Sequence, residues 1–269
     1  MSNFWGRIRY AFILNKEKRK AFRRRLKQAN QIPPDNEVLL SPSFLGGINI
    51  VGRSNRVVVK SGNYISTPNI HIFGNNNCVE IGVNVMCLET QIFVGTEDSF
   101  CNNAKIIIGA ETTIDGGSEI RVMEHGSEII LGEDVMCSKK VLIWGTDSHA
   151  ILDTDGRLKN RGRKITIGNH VWIGMDVKIG KNTEIGEGSV IGWGSVIPSG
   201  KFSPRSLLAG NPASVKKTRR YLESGTAKPL SIRIKNDNSF TFKNRPKLYF
   251  SRPSFPYKEN VEKRFVPKD

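Results

Sequence analysis

Isoleucine recurs at every sixth position through Ile167, Ile173, Ile179, Ile185, Ile191 and Ile197. Glycine follows the first five, and Pro198 follows the sixth. Four residues beyond each of those five isoleucines stands a small or β-branched residue: Val171, Val177, Thr183, Ser189 and Ser195. A period of six is neither the 3.6 of a helix nor the plain alternation of a strand that ends in an irregular turn. It fits a coil of short flat strands joined by tight corners, with the aliphatic residue turned inward, the small residue packed beside it and glycine letting the corner turn. Each rung buries its aliphatics only against the next, so such hexads build a parallel β-helix of several coils.

Weaker hexads extend upstream in shifted phases. Ile81, Cys87 and Phe93 form one set, with Val85 and Gln91 at the small-residue positions. Ile108, Ile114 and Ile120 form a second with Thr112 and Ser118, and Leu131, Cys137 and Ile143 a third with Val135 and Val141. The phase changes mark loops bulging from a coil over roughly residues 45–200. The largest interruption lies between Ile143 and Ile165, with Asp153-Thr-Asp-Gly156 as a turn signal inside it. A long loop on an otherwise regular scaffold is a place to look for function.

The charge is distributed unevenly along the 269 residues. The net charge is +16, yet residues 1–30 hold ten basic residues and one acid, and residues 216–269 hold fifteen and five. Sixteen basic and nineteen acidic residues are left for the middle, a near-neutral body between two basic flanks. That excludes a nucleic-acid-binding core, which concentrates its charge on the folded domain. Cys78, Cys87, Cys101 and Cys137 show no C-x-x-C pair, so they read as reduced, mostly buried thiols rather than a zinc cluster or disulfide framework. No apolar stretch reaches the roughly 18 residues of a membrane span.

Asp147-Ser-His149, the loop after it, Ile165-Thr-Ile-Gly-Asn-His-Val-Trp-Ile-Gly174, the hexads to Ile197 and Leu208-Ala-Gly-Asn-Pro212 together resemble the bacterial hexapeptide-repeat acyltransferases. The likeness is to the branch of galactoside, maltose and nodulation-factor O-acetyltransferases and their capsule and lipopolysaccharide relatives. It covers residues 129–217 well and 45–128 by repeat character alone. The resemblance implies an all-β chain, a left-handed parallel β-helix, against the usual right-handed crossover. It also implies a homotrimer with active sites between adjacent prisms, acetyl-CoA as co-substrate, and no metal.

By that resemblance His149 is the general base, because a sugar hydroxyl needs a neutral imidazole to take its proton as it attacks a thioester. Asp147, two residues earlier, is placed either to hold the imidazole tautomer or to cap a turn. Trp172 holds the family's tryptophan position, either packing the wall near the thioester or serving structure alone; Met175, Trp193, Gly194 and Ser195 occupy the rungs where the pantetheine arm runs in relatives, and Asn211, Lys216 and Lys217 follow for the nucleotide end. Trp193 and Pro198-Ser-Gly200 depart from the family pattern. Trp144 is the candidate sugar platform, with Arg121, Glu124 and His125 as candidate polar contacts. The loop cations Arg157, Lys159, Arg161, Arg163 and Lys164 suit CoA phosphates or an anionic acceptor.

The domain division expected is a basic amphipathic helix over 1–30, a β-helix acetyltransferase domain over 31–215 with its loop at 150–164, and a basic C-terminal appendage over 216–269. Phe4, Trp5, Ile8, Ala11 and Phe12 form the apolar stripe of the helix, which suits either an anionic membrane surface or a cap on the open coil. Ser231-Ile-Arg-Ile-Lys235 and Ser239-Phe-Thr-Phe-Lys243 suggest a hairpin followed by proline-rich extended chain. The function expected is acetyl transfer to a sugar hydroxyl of a surface glycan, neutral or polyanionic, in the cytoplasm or at the inner face of the membrane. The alternatives are N-acetylation of an amino sugar or nucleotide-linked amino sugar, and a non-catalytic glycan-binding coil. A metal-dependent carbonic anhydrase on this scaffold is disfavoured, because His71, His125, His149 and His170 lack short paired spacing.

Overall fold

Strands of two to six residues wind into a prism with three parallel faces. The computed structural model describes residues 32–218 apart from 43 and 63–65, and the side chains of Lys217 and Thr218 lie outside it. The expected N-terminal helix and the appendage beyond Thr218, with its hairpin, lie outside the described residues.

The first face has eight strands, from Glu37–Leu40 to Gly200–Phe202, and the other two have seven each. Each complete coil visits the first, second and third faces in turn, as in Lys164–Ile167, Trp172–Ile173 and Lys178–Ile179. The coil starts at Glu37, eight residues before the sequence expectation, because inward alternation in Val57 and Val59, then Ile70 and Ile72, builds the early rungs without isoleucine-glycine hexads. Asparagines support them, Asn55 and Asn77 buried and Asn36 half-buried: Asn77 Nδ2 donates to Asn55 Oδ1, and Asn55 Nδ2 to Asn36 Oδ1, both at 3.0 Å. At the other end, Ala213–Thr218 turns back antiparallel on Ser206–Gly210 and closes the second face.

All six isoleucines of the main repeat are at most 1% exposed, and their small-residue partners are buried beside them. The corner chemistry differs from the reading in sequence. The residues that turn through the left-handed region stand three beyond each of the first five isoleucines: His170, Asp176, Asn182, Gly188 and Gly194, with φ between +55° and +65°. The glycines directly after isoleucine serve close approach instead. A Cβ on Gly180 or Gly186 would overlap the backbone of Pro198 or Pro204 in the next coil.

One upstream phase also differs. Phe93 does not point inward; Ile92 and Val94 do. The corner between Met86–Cys87 and Gln91–Val94 has three residues, where its counterpart in the next coil, between Thr113–Ile114 and Glu119–Val122, has four. One residue fewer exchanges the faces of everything beyond it. Phe93 therefore joins an outward column in register on the third face, with His71 below it and Arg121 and Trp144 above.

Candidate active site on a prism edge

Insertions collect where the third face passes to the first: residues 95–104, 123–127 and 145–163 all leave the coil at this edge. The longest carries His149. Its two ends cross at Gly145 and Gly162, where a Cβ on Gly162 would overlap the Gly145 carbonyl. The Gly162 amide donates to Glu124 Oε2 at 2.6 Å, and Asn182 fastens the neighbouring backbone by donating to Arg161 O at 3.0 Å and accepting from Arg163 N at 2.9 Å. The outer part is a miniature hairpin with Leu152 bridged to Leu158, and Asp153 Oδ1 accepts from the amides of Asp155 and Arg157 to make the turn expected there.

His149 sits at the base of this loop and is exposed, and its imidazole has no hydrogen-bond partner among the described residues. Its backbone is held more firmly. Ser148 before it adopts φ +64°, and the Ser148 amide donates to Thr146 Oγ1 at 2.9 Å. Asn160 reaches across from the far limb: its Nδ2 donates to His149 O at 2.8 Å and to Asp147 Oδ2 at 2.9 Å, and its Oδ1 accepts from Ile151 N at 2.8 Å. The Lys181 ammonium, from the next coil, pairs with the same Asp147 oxygen. Lys181, helped by Asn160, holds the Asp147 carboxyl below the usual carboxylate range against a smaller opposing effect of burial. The Asp147 carboxylate is therefore bonded to Lys181 and Asn160 rather than to the imidazole, and Asn160 ties it to the His149 backbone.

Two other expected contacts need correction for the same reason. The Arg121 guanidinium lies 4.4 Å from the Phe93 ring centroid and 5.0 Å from that of Trp144, and its Nε donates to Glu119 Oε1 at 2.6 Å. So sandwiched, it supports Trp144 instead of reaching a ligand. The Glu124 carboxylate is committed to the Gly162 amide, so its work is to hold the loop. Trp144 ends the outward column, since Gly180 follows it in register and brings no side chain over its upper face. His125 stays available: its Nδ1 accepts from Asn102 N at 3.0 Å, which leaves the proton on Nε2.

The residues expected to meet CoA lie on a different edge, where the second face passes to the third. Met175, Trp193 and Gly194 sit at this corner in successive coils, joined by a 2.8 Å bond from Gly194 N to Met175 O. Trp193 is 71% exposed, and nothing stands within 4 Å of a Cβ built on Gly194, so the corner has room for an elongated ligand. Trp172 is half-buried on the adjoining second face. Asn211 is exposed in the turn of the closing hairpin, and Lys216 is exposed with its Nζ on Ser214 Oγ at 2.9 Å. The Lys217 side chain lies outside the described residues. Ser195 is a correction: fully buried, with its hydroxyl donating to Gly192 O at 2.6 Å and accepting from Gly210 N at 3.3 Å, it offers nothing to a groove.

Asn160 and Lys181 carried no signal in the sequence, because their partners appear only once the loop folds back. No group of three His, Cys, Asp or Glu among the described residues is placed to hold a metal ion. Burial pushes the Cys87 and Cys101 thiols up to about 12, and Cys137 is raised in the same way. No helix among the described residues is long and apolar enough to cross a membrane.

Residues 164–199 match the family model described as bacterial transferase hexapeptide, six repeats. Among solved structures, the chain is similar to the polySia-specific acetyltransferase NeuO at 26% identity and a TM-score of 0.53, covering 69% of this chain and 93% of that one. It is also similar to the polysialic acid O-acetyltransferase OatWY at 26% identity and a TM-score of 0.50, covering 71% and 91%. No sequence among the curated proteins matches the chain. The fold is a left-handed parallel β-helix of hexapeptide repeats.

Proposed function

We propose that this chain, a hexapeptide-repeat acyltransferase, moves an acetyl group from acetyl-CoA to a sugar hydroxyl of a surface glycan such as a capsule or lipopolysaccharide. The observation that carries the reading is His149, an exposed imidazole without a side-chain partner among the described residues, on a backbone stapled by Asn160. Imidazole is the side chain whose free base is at hand near neutral pH. His149 withdraws the hydroxyl proton as the sugar oxygen attacks the thioester carbonyl carbon; the carbon–sulfur bond breaks, and the same imidazolium returns the proton to the departing thiolate. Trp144 offers one indole face to a sugar ring beside it.

The thioester is the activated acyl group. The edge formed by Met175, Trp193 and Gly194, open at Gly194 and lined by an exposed indole, fits an extended arm. Within one prism the third face separates that edge from His149. A trimer about an axis parallel to the prisms removes the separation by setting the His149 edge of one copy against the Trp193 edge of the next. We place the enzyme in the cytoplasm. The basic segments 1–30 and 216–269 draw it toward anionic membrane or a polyanionic acceptor by long-range attraction. The test is acetyl transfer from acetyl-CoA to paired hydroxyl and amino acceptors. His149→Ala lowers transfer to hydroxyls by about 10²- to 10⁴-fold; full activity in that variant overturns the mechanism, and turnover of amino sugars alone replaces O- by N-transfer.

A further inference from the structure

Arg157, Lys159, Arg161, Arg163, Lys164 and Lys181 stand on the loop, at its foot and at the corner above it, and their partners differ. Four have carboxylates: Arg157 with Asp155 at 3.2 Å, Lys159 with Asp153 at 2.8 Å, Lys164 with Glu128 at 3.1 Å, and Lys181 with Asp147. Arg161 and Arg163 have no ion-pair partner among the described residues, and both are exposed. These two line a cavity of about 280 Å³ together with His125, Gly126 and Gly162. Their backbone is fixed before any ligand arrives, by Asn182 on both sides and by Glu124 on the glycine between them. The lining includes no acid, and even counting Glu124, which holds the Gly162 amide, one carboxylate stands against two guanidiniums.

His125 adds a directed donor. On this edge a column of side-chain oxygens receives successive amides: Asn75 Oδ1 takes Arg53 N at 2.9 Å, and Asn102 Oδ1 takes Asn75 N at 2.8 Å. At the next rung an imidazole does the work, His125 Nδ1 taking Asn102 N at 3.0 Å. A third asparagine would continue the column equally well. The histidine does so with one nitrogen and has a second left over, Nε2–H, on a residue that lines the cavity. Arg161 Nη2 leans on the His125 carbonyl at 3.4 Å and joins the two limbs of the wall.

We propose that this cavity is an anion site in which Arg161, Arg163 and the Nε2–H of His125 hold a carboxylate or phosphate oxygen group. Planar guanidiniums form paired charge-assisted bonds to such groups. Its place in transfer rests on the function proposed above, with the anion coming either from an acidic sugar of the acceptor or from a phosphate of the co-substrate; the binding itself does not rest on that reading.

Equilibrium binding to the full chain separates these sources. Two matched pairs serve as probes: a galacturonic acid hexamer against a galactose hexamer, and CoA against 3′-dephospho-CoA. Arg161→Gln with Arg163→Gln weakens the charged member of one pair by about ten- to a hundred-fold and leaves its neutral or dephosphorylated counterpart unchanged. His125→Asn keeps the acceptor for the Asn102 amide, so it retains the fold, and it weakens the same probe by several-fold. Arg157→Gln, a cation already paired, changes neither. A loss confined to the uronate assigns the anion to the acceptor, and a loss confined to CoA assigns it to the nucleotide. Wild-type protein that distinguishes neither pair, or variants that bind both charged probes as the wild type does, overturns the proposal. Anion binding without acetyl transfer to any acceptor removes the proposed function and leaves the site standing.

Discussion

Asn160→Ala separates the aim of His149 from the stability of the fold. The substitution removes three bonds of 2.8–2.9 Å, two of which end on the segment that carries the imidazole and the third on Ile151 just beyond it. Each is worth roughly 0.5–1.5 kcal/mol, and because these groups lie at the surface water replaces part of that, leaving about 1.5–2 kcal/mol. The loss falls on a local closing equilibrium, since the loop leaves the prism at one edge and the strands on either side pair with other coils. Opening of the loop should rise by roughly 10- to 30-fold, read as faster hydrogen exchange at the Ile151 amide, with the melting temperature almost unchanged. A displacement of about 1 Å in a reacting group costs on the order of 10²-fold, so kcat should fall by about 10- to 100-fold while KM for acetyl-CoA holds. Faster exchange with kcat within twofold of wild type would show that the staple does not aim the base. A matching fall in melting temperature would show that the loop is not separable from the fold.

Two further outcomes follow from the corners and from the ion pair. Gly186→Ala drives a methyl into the Pro204 backbone and should cost about 2 kcal/mol or more, whereas Gly194→Ala has open space and φ +65° and should cost about 1 kcal/mol; calorimetry reads each kcal/mol as about 2–4 °C, and the reverse order would sink the close-approach argument. Asp147 has a folded pKa below its unfolded value, so its contribution is present above the unfolded carboxylate value of about 3.9 and is lost as pH falls through the folded one. At 43% exposure that contribution is under about 1 kcal/mol. Acid unfolding of Asp147→Asn should therefore be shallower than wild type below about pH 4 and parallel to it above pH 5; a difference that grows between pH 6 and 8 would point to another group.

The scaffold was legible where inward positions repeat at a fixed count. Ile167 to Ile197 occupy equivalent places on three faces, so six residues of spacing translate directly into one corner and one short strand. The reading failed at Phe93 because a corner shortened by one residue leaves no mark in composition, while it moves a large aromatic from core to surface. It also credited the glycines after isoleucine with turning, when His170, Asp176, Asn182, Gly188 and Gly194 make the turns and Gly180 and Gly186 let successive coils approach closely. Both errors concern what lies between inward positions, where periodicity carries no information.

The site divides along the same line. Each strand pairs with the coil above and the coil below, so an insertion of 19 residues at one edge leaves the register of Glu128 with Lys164 and of Leu131 with Ile167 intact. The fold therefore places no constraint on what the loop contains, and the repeat cannot forecast it. His149 was singled out because its segment matches a motif; Asn160, Lys181 and Asn182 were not, since each bonds across a gap closed only by the folded loop. By the same independence the loop is the part able to vary without disturbing the prism. Exchanging residues 150–160 with a relative's loop should alter acceptor preference while leaving hexad stability in place. A loss of global cooperativity in that chimaera would show that loop and coil are coupled after all.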